Sequence, residues 1–200
     1  MACSAVVVVG DNEPFVKALK KKADELIIGN GMDDEVLLTP VIRKEHREKV
    51  LGYIEKGIEE GADLIRDGRA QMGEFSEGNF LGPTIFDHVT PEMTIAKDEI
   101  FAPVLSLLRA SDLDEGLVYI RKSRYGNGAT IYTNNAKAIR QFREEADAGM
   151  LGINVGVPAT MAFFPFSGWK DSFYGDLHVN GKDGLNFYTR KKMITSRFDA

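Results

Sequence analysis

The chain is poor in the residues that build disulfides and metal centres: its 200 residues hold one cysteine, Cys3, and three histidines. A lone cysteine excludes an internal disulfide framework and suits a reducing compartment, so a cytoplasmic protein is expected. His46, His88 and His178 stand far apart with no cysteine or carboxylate at ligand spacing, and no metal site is expected. No apolar run approaches the roughly 20 residues needed to span a bilayer. The apolar stretch Ser4 to Val9 is too short for a signal-peptide core and follows no basic region, so no membrane partner is expected. Positive charge is also scarce. A formal net charge of −5 disfavours a nucleic-acid surface, and the cluster Arg190-Lys191-Lys192 reads as a solvated face. Glycine-rich loops with dinucleotide or P-loop spacing are missing, as is a Gly-x-Ser-x-Gly elbow.

What is present alternates between short apolar runs and helical stretches. Ala5 to Val9 reads as a buried strand. Pro14 sits well in the first turn of a helix, with Phe15, Ala18, Leu19, Lys22 and Leu26 at helical spacing. Arg43 to Glu60 forms a second amphipathic pattern around Val50, Leu51, Ile54 and Ile58, with Gly61 closing it. Ala62 to Ile65 is a short strand, and Gly68 to Gly82, with four glycines, a loop or hairpin. Further strands follow at Thr84 to Val89, Val104 to Leu108, Ala129 to Tyr132 and Met150 to Val155. Ser111 caps one intervening helix, and Asn134 or Asn135 caps another that runs to Asp147. Gly156 to Gly175 is a long loop rich in Pro, Gly and aromatics, of a kind that is usually functional. A short helix around Gly184 to Tyr188 and a terminal strand from Met193 to Phe198 complete the chain. The alternation predicts one α/β domain, a doubly wound, mostly parallel open sheet with helices on both faces, plus a C-terminal strand.

Three segments carry chemistry. In Lys97-Asp98-Glu99-Ile100-Phe101-Ala102-Pro103-Val104, an acceptor-only carboxylate able to take two vicinal hydroxyls stands two residues from a ring able to flank a flat ligand. Taken alone, the tripeptide also fits a turn carboxylate leading through core residues into a strand. The second segment is Gly149-Met150-Leu151-Gly152-Ile153-Asn154, then a loop, then Pro165-Phe166-Ser167-Gly168-Trp169-Lys170-Asp171-Ser172. Here Phe163, Phe164, Phe166 and Trp169 read as a satellite cluster or as a tunnel wall, and the two are compatible. The third is Met1-Ala2-Cys3-Ser4-Ala5 followed by Val6 to Val9.

Together these segments resemble the aldehyde dehydrogenase family. The first is similar to its Glu-Ile-Phe-Gly-Pro-Val signature with Ala102 for glycine, the second to its Pro-Phe-Gly-Gly-x-Lys-x-Ser. Ala102, Gly156-Val157-Pro158, Ser167, Gly175-Asp176-Leu177-His178 and Phe187 to Lys192 resemble the branch acting on methylmalonate and malonate semialdehydes. The resemblance covers Met1 to Phe198 and implies residues 1–185 as catalytic domain and 186–200 as an oligomerisation segment. It further implies an NAD cofactor, with Glu99 accepting from the nicotinamide ribose hydroxyls and Phe101 packing beside the ring. Phe166 would border the tunnel of a small aldehyde substrate, and Asn154 would organise loop backbone. In that family a cysteine thiolate adds to the aldehyde, hydride passes to NAD, and in this branch the thioester passes to coenzyme A with loss of carbon dioxide. The assembly implied is a homo-oligomer joined through the terminal strand.

The family nucleophile is followed by one residue and then alanine, with a strand about half a dozen residues on. Cys3 meets the first condition through Ser4-Ala5, but the valine run then begins too soon. A nucleophile immediately before Met1 meets both, through Met1-Ala2 and Val6 to Val9. The second register is expected, with Cys3 as the alternative. On it, no catalytic residue lies within the chain, and base, oxyanion asparagine and NAD domain precede it, so the isolated chain is expected to be inactive. Other readings are a self-associating structural or regulatory fragment, a generic aldehyde dehydrogenase domain using Cys3, or a trimmed reading frame.

Overall fold

Residues 3–71, 78–175 and 178–198 are described by a computed structural model, and they fall into two compact units, Met1–Ser123 and Arg124–Ala200. Met1-Ala2, part of the glycine-rich stretch after Gly68, and Asp176-Leu177 lie outside the described residues.

In the first unit, β1 (Ala5–Val9) is followed by α1 (Glu13–Asp24), α2 (Lys44–Glu59), β2 (Asp63–Arg66) and a 3-10 turn (Gly68–Gln71). Then come β3 (Thr84–Asp87), α3 (Thr94–Lys97), β4 (Val104–Ala110) and α4 (Leu113–Lys122). The four strands form one sheet in the order β1-β4-β3-β2. β4 pairs in parallel with both β1 and β3, and only the edge strand β2 is antiparallel. Successive residues of a strand face opposite sides, and β4 is apolar on both. Val104 and Leu108 pack with Phe86 of β3 against Val50 and Ile54 of α2 and Ile95 of α3. Leu107 packs with Ile85 and Val8 beneath Val16 and Ala23 of α1. Helices therefore cover both faces, the doubly wound arrangement expected. Each fully buried side chain of this size contributes about 1.5–3 kcal/mol, and Phe86 and Leu107 are wholly inaccessible.

Polar groups inside this unit are paired in ways that fix the helices. Arg109 of β4 donates from Nε (2.8 Å) and Nη2 (2.6 Å) to the two carboxylate oxygens of buried Asp87, and from Nη2 to Glu13 at the start of α1 (2.7 Å). Buried Arg66 donates from Nε to Asp24 at the end of α1 (2.8 Å). Two sheet arginines thus hold α1 at both ends. Burial alone would raise the Asp87 carboxyl, but the Arg109 guanidinium and the His88 N–H more than offset it and leave it below the usual carboxylate range.

The second unit contains β5 (Tyr125–Gly126), β6 (Gly128–Ile131), α5 (Ala136–Glu145), β7 (Met150–Ile153), β8 (Trp169–Lys170) and α6 (Gly181–Tyr188). Strands β6 and β7 are parallel and joined through α5, while β5 and β8 form a separate antiparallel pair. The described strands group into sheets of four, two and two strands, and the parallel pairs β1–β4, β3–β4 and β6–β7 agree with the mostly parallel open sheet expected.

Several local expectations need correction. The buried face of α1 is Val16, Leu19 and Ala23, whereas Phe15 and Ala18 are exposed, because the register that meets Val8 and Leu107 starts one residue later. Asp112, not Ser111, caps α4, accepting from Glu115 N at 2.9 Å, while Ser111 donates its N–H and hydroxyl to the Glu115 carboxylate. Asn135 caps α5, which stops at Glu145. Residues 191–198 form no strand within the chain, since a strand exists through ladder partners and none of the described residues supplies one. Met193 and Phe198 there are 91% and 90% exposed.

Two glycines of the first unit predict opposite outcomes. A Cβ at Gly52, on the exposed side of α2, meets nothing within 4 Å, whereas one at Gly68 runs into the Gly82 carbonyl. Gly52→Ala should stabilise the chain by about 0.5–1 kcal/mol. Gly68→Ala should destabilise it by about 2 kcal/mol or more. Urea unfolding of both variants checks the pair; shifts of the same sign would contradict the close approach at Gly68.

Candidate functional site

The first unit brings two of the sequence-identified segments to the same end of its sheet, where β1 and β4 begin. β1 runs parallel to β4 with Ala5 opposite Ser106, and Ser106 N donates to Ser4 O at 3.1 Å. That register carries the chain at Cys3 toward the end of β4 from which Glu99–Pro103 emerges. Within this loop, Ile100 is buried in the core with Val50 and Ile54, so the residues on either side are thrown outward. Glu99 is exposed and accepts no hydrogen bond among the described residues. Phe101 is 78% exposed and holds a left-handed φ of 56°, a conformation seldom taken by a bulky residue. An anchored loop thus presents a carboxylate with unused acceptors and a bare ring side by side.

Helix α2 holds this loop. Tyr53 Oη donates to Asp98 at 2.9 Å, and His46 Nε2 lies 3.0 Å from the Phe101 carbonyl oxygen. At the end of α2, Glu60 accepts from the N–H and the hydroxyl of Thr94, both at 2.6 Å, which caps α3 and keeps the Glu60 carboxyl below its ordinary range. Neither the two α2 residues His46 and Tyr53 nor Glu60, the residue that caps the helix, was identified as a site residue from sequence. Their seven-residue spacing marks a shared helix face, but nothing local says which loop that face meets.

Cys3 is exposed as a residue, with Sγ 3.4 Å from the Ala5 carbonyl oxygen. Desolvation of the sulfur pushes its thiol above the ordinary value, the reverse of what activates a thiolate nucleophile.

Asn154 and Phe166 belong to the second unit. Asn154 ends β7 with a φ of 56°, and its N–H donates to Ile131 O at 2.8 Å. Its side-chain amide then accepts from Thr133 N at 2.9 Å and donates to Thr133 O at 3.0 Å. The side chain thus copies a strand partner, extending the β6–β7 pairing past Ile131↔Ile153 as the backbone turns away. Phe166 is half-buried in the loop, whose Phe163 and Phe164 rings lie 4.7 Å apart. The rest of the motif pins the loop. Lys170 pairs with Asp147 and Arg124 with Asp171, each at 2.8 Å, and Gly126 N donates to Ser172 Oγ at 3.1 Å. A Cβ at Gly149 would lie 2.5 Å from Ser167 O, so the turn before β7 accepts only glycine this close to the loop. Among the described residues, no group of three or more His, Cys, Asp or Glu could hold a metal, and no helix is long and apolar enough to cross a membrane.

Residues 1–194 match the model of the aldehyde dehydrogenase family. The chain belongs to this family. It is 85% identical over 199 residues to malonate-semialdehyde dehydrogenase 1 of Geobacillus kaustophilus (strain HTA426), covering 100% of this chain and 41% of that protein. The crystal structure of methylmalonate-semialdehyde dehydrogenase from Oceanimonas doudoroffii superposes with a TM-score of 0.92 at 38% identity, over 98% of this chain and 41% of that one. An aldehyde dehydrogenase of Mycobacterium tuberculosis complexed with NAD+ gives 0.86 at 30% identity, over 94% and 38%. The chain thus spans about two fifths of the length of the curated relatives it matches.

The Asn154 geometry predicts an unusual pair of variants. Asn154→Ala loses both Thr133 bonds and should cost about 1–2 kcal/mol. Asn154→Asp, nearly isosteric, should cost as much, because a carboxylate oxygen would then face the Thr133 carbonyl. Chemical denaturation measures both; an aspartate variant as stable as the parent would refute the two-way pairing.

Proposed function

We propose that this chain forms part of the catalytic domain of an NAD-dependent, coenzyme A-acylating dehydrogenase of malonate or methylmalonate semialdehyde. The observation that carries the reading is the 85% identity over the whole chain to a malonate-semialdehyde dehydrogenase. The exposed Glu99 and Phe101 fit the cofactor assigned to them: a carboxylate with free acceptors suits ribose hydroxyls, and a bare ring suits a flat base. NAD, when bound, supplies the hydride acceptor; Glu99 orients the ribose and Phe101 flanks the nicotinamide. Phe166 borders the aldehyde, and Asn154 holds the loop that carries it.

The nucleophile in this reading is not Cys3, whose thiol is raised, but a cysteine in the register that takes Met1-Ala2 as its following pair. Base and oxyanion donors likewise lie in the length of the relatives that this chain does not span. Residues 1–185 then constitute catalytic domain and 186–200 an oligomerisation segment, whose exposed Met193, Ile194 and Phe198 favour a homo-oligomer over a lone chain. The compartment proposed is the cytoplasm.

The isolated 200-residue chain, given malonate semialdehyde, NAD and coenzyme A, should produce no NADH by absorbance. Turnover that Cys3→Ala abolishes would overturn this assignment. Joined behind the remaining part of the Geobacillus kaustophilus relative, the chain should support turnover, and Glu99→Gln should raise the KM for NAD about tenfold, the loss of a charge-assisted hydrogen bond.

A raised thiol pKa also sets a pH dependence for Cys3. Only thiolate reacts, so its alkylation by iodoacetamide should be slow near neutrality and still be accelerating above pH ~8.5, where an ordinary thiol is half ionised. A rate already level at neutral pH would identify an activated cysteine.

A further inference from the structure

His46, Tyr53 and Glu60 stand at seven-residue intervals, and three positions of the segment entering β4, spaced three or four residues apart, meet them in reverse order. Glu60 takes Thr94, Tyr53 takes Asp98, and His46 reaches Phe101. Seven residues are close to two helical turns, so the three side chains line one face of α2. The core residues Val50 and Ile54 lie beside them on the same helix, and Ile100 packs into that core. The segment is therefore gripped at intervals along a rigid rail. The last grip is the one nearest the exposed ring.

We propose that His46 is a positioning residue for the cofactor-facing loop: it holds the Phe101 carbonyl and so keeps the Phe101 ring and Glu99 in their outward orientation. This rests on the reading of Glu99 and Phe101 as NAD contacts. A carbonyl oxygen only accepts, so His46 Nε2 carries the proton in this contact. The neutral Nε2–H tautomer donates from that nitrogen. Phe101 needs such a hold because its φ of 56° is unfavourable for a residue with a Cβ, and relaxation of that torsion would redirect both neighbours. Tyr53 cannot substitute, since its bond to Asp98 lies upstream of the strained torsion.

Two measurements test this. In the 200-residue chain, nitrogen NMR of the His46 ring should show the Nε2–H tautomer, with a through-hydrogen-bond coupling to the Phe101 carbonyl carbon. The opposite tautomer would overturn the proposal. In the hybrid enzyme joined to the relative's remaining part, His46→Ala should raise the KM for NAD about fivefold to tenfold. The aldehyde KM and the thermal midpoint should hardly change. His46→Gln, whose Nε2 can occupy the same position as a donor, should restore most of the loss. An unchanged NAD KM in His46→Ala, where Glu99→Gln does raise it, would overturn the positioning role alone. If neither substitution moves it, the cofactor reading of the loop fails and this inference with it.

Discussion

Burial of β4 on both faces is the constraint from which the first unit follows. A strand apolar on one side needs one covering layer; Val104 and Leu108 on one side and Leu107 on the other demand two. Helices α2 and α3 supply one and α1 the other. The central position of β4 also places β1 beside it in parallel, which brings the start of β1 and the loop before β4 to the same end of the sheet. The chemistry assigned to Glu99 and Phe101 inherits its location from that strand pairing.

Besides His88, three described non-glycine residues hold a left-handed φ: Phe101 in the first unit, and Asn154 and Lys170 in the second. Each is tied by neighbours: Phe101 through its carbonyl to His46, Asn154 through its amide to Thr133, Lys170 through its ammonium to Asp147. Such torsions persist when surrounding bonds over-determine them. The lysine, serine and glycine of the Phe166–Ser172 motif act together in the same way. Lys170 and Ser172 clip the loop to Asp147 and Gly126, and Gly168 is tightly approached by Ser172 O and Phe173. They fix loop shape and leave the neighbouring aromatics exposed or half-buried.

Much of this was legible in the chain itself. The valine run of β1 and the stripe of α2 follow from periodicity, and the doubly wound reading follows from their alternation. The motifs around Glu99 and from Asn154 to Ser172 identified the family because their combined residue types and order are specific. Other features resisted reading. The face of α1 slipped by one position because Phe15 and Val16 are both apolar and only the opposing Val8 and Leu107 choose between them. The cap of α4 moved from Ser111 to Asp112 because both are good caps and only the backbone decides. The antiparallel pairing of the edge strand β2 was not readable because strand length and type do not encode pairing direction.

The amino-acid sequence by itself determined the class of the fold and the family, and it marked the residues proposed to contact a nicotinamide ribose or wall an aldehyde. Those properties reside in local pattern and residue type. Tertiary structure alone decided that His46, Tyr53 and Glu60 grip the Glu99–Phe101 loop and that Asn154 closes on Thr133. It also set Cys3 in surroundings that raise its thiol. Each of these depends on partners 21 to 55 residues away or on burial. Helical spacing records which side chains share a face; only the packing of β4 against its neighbours determines what that face touches.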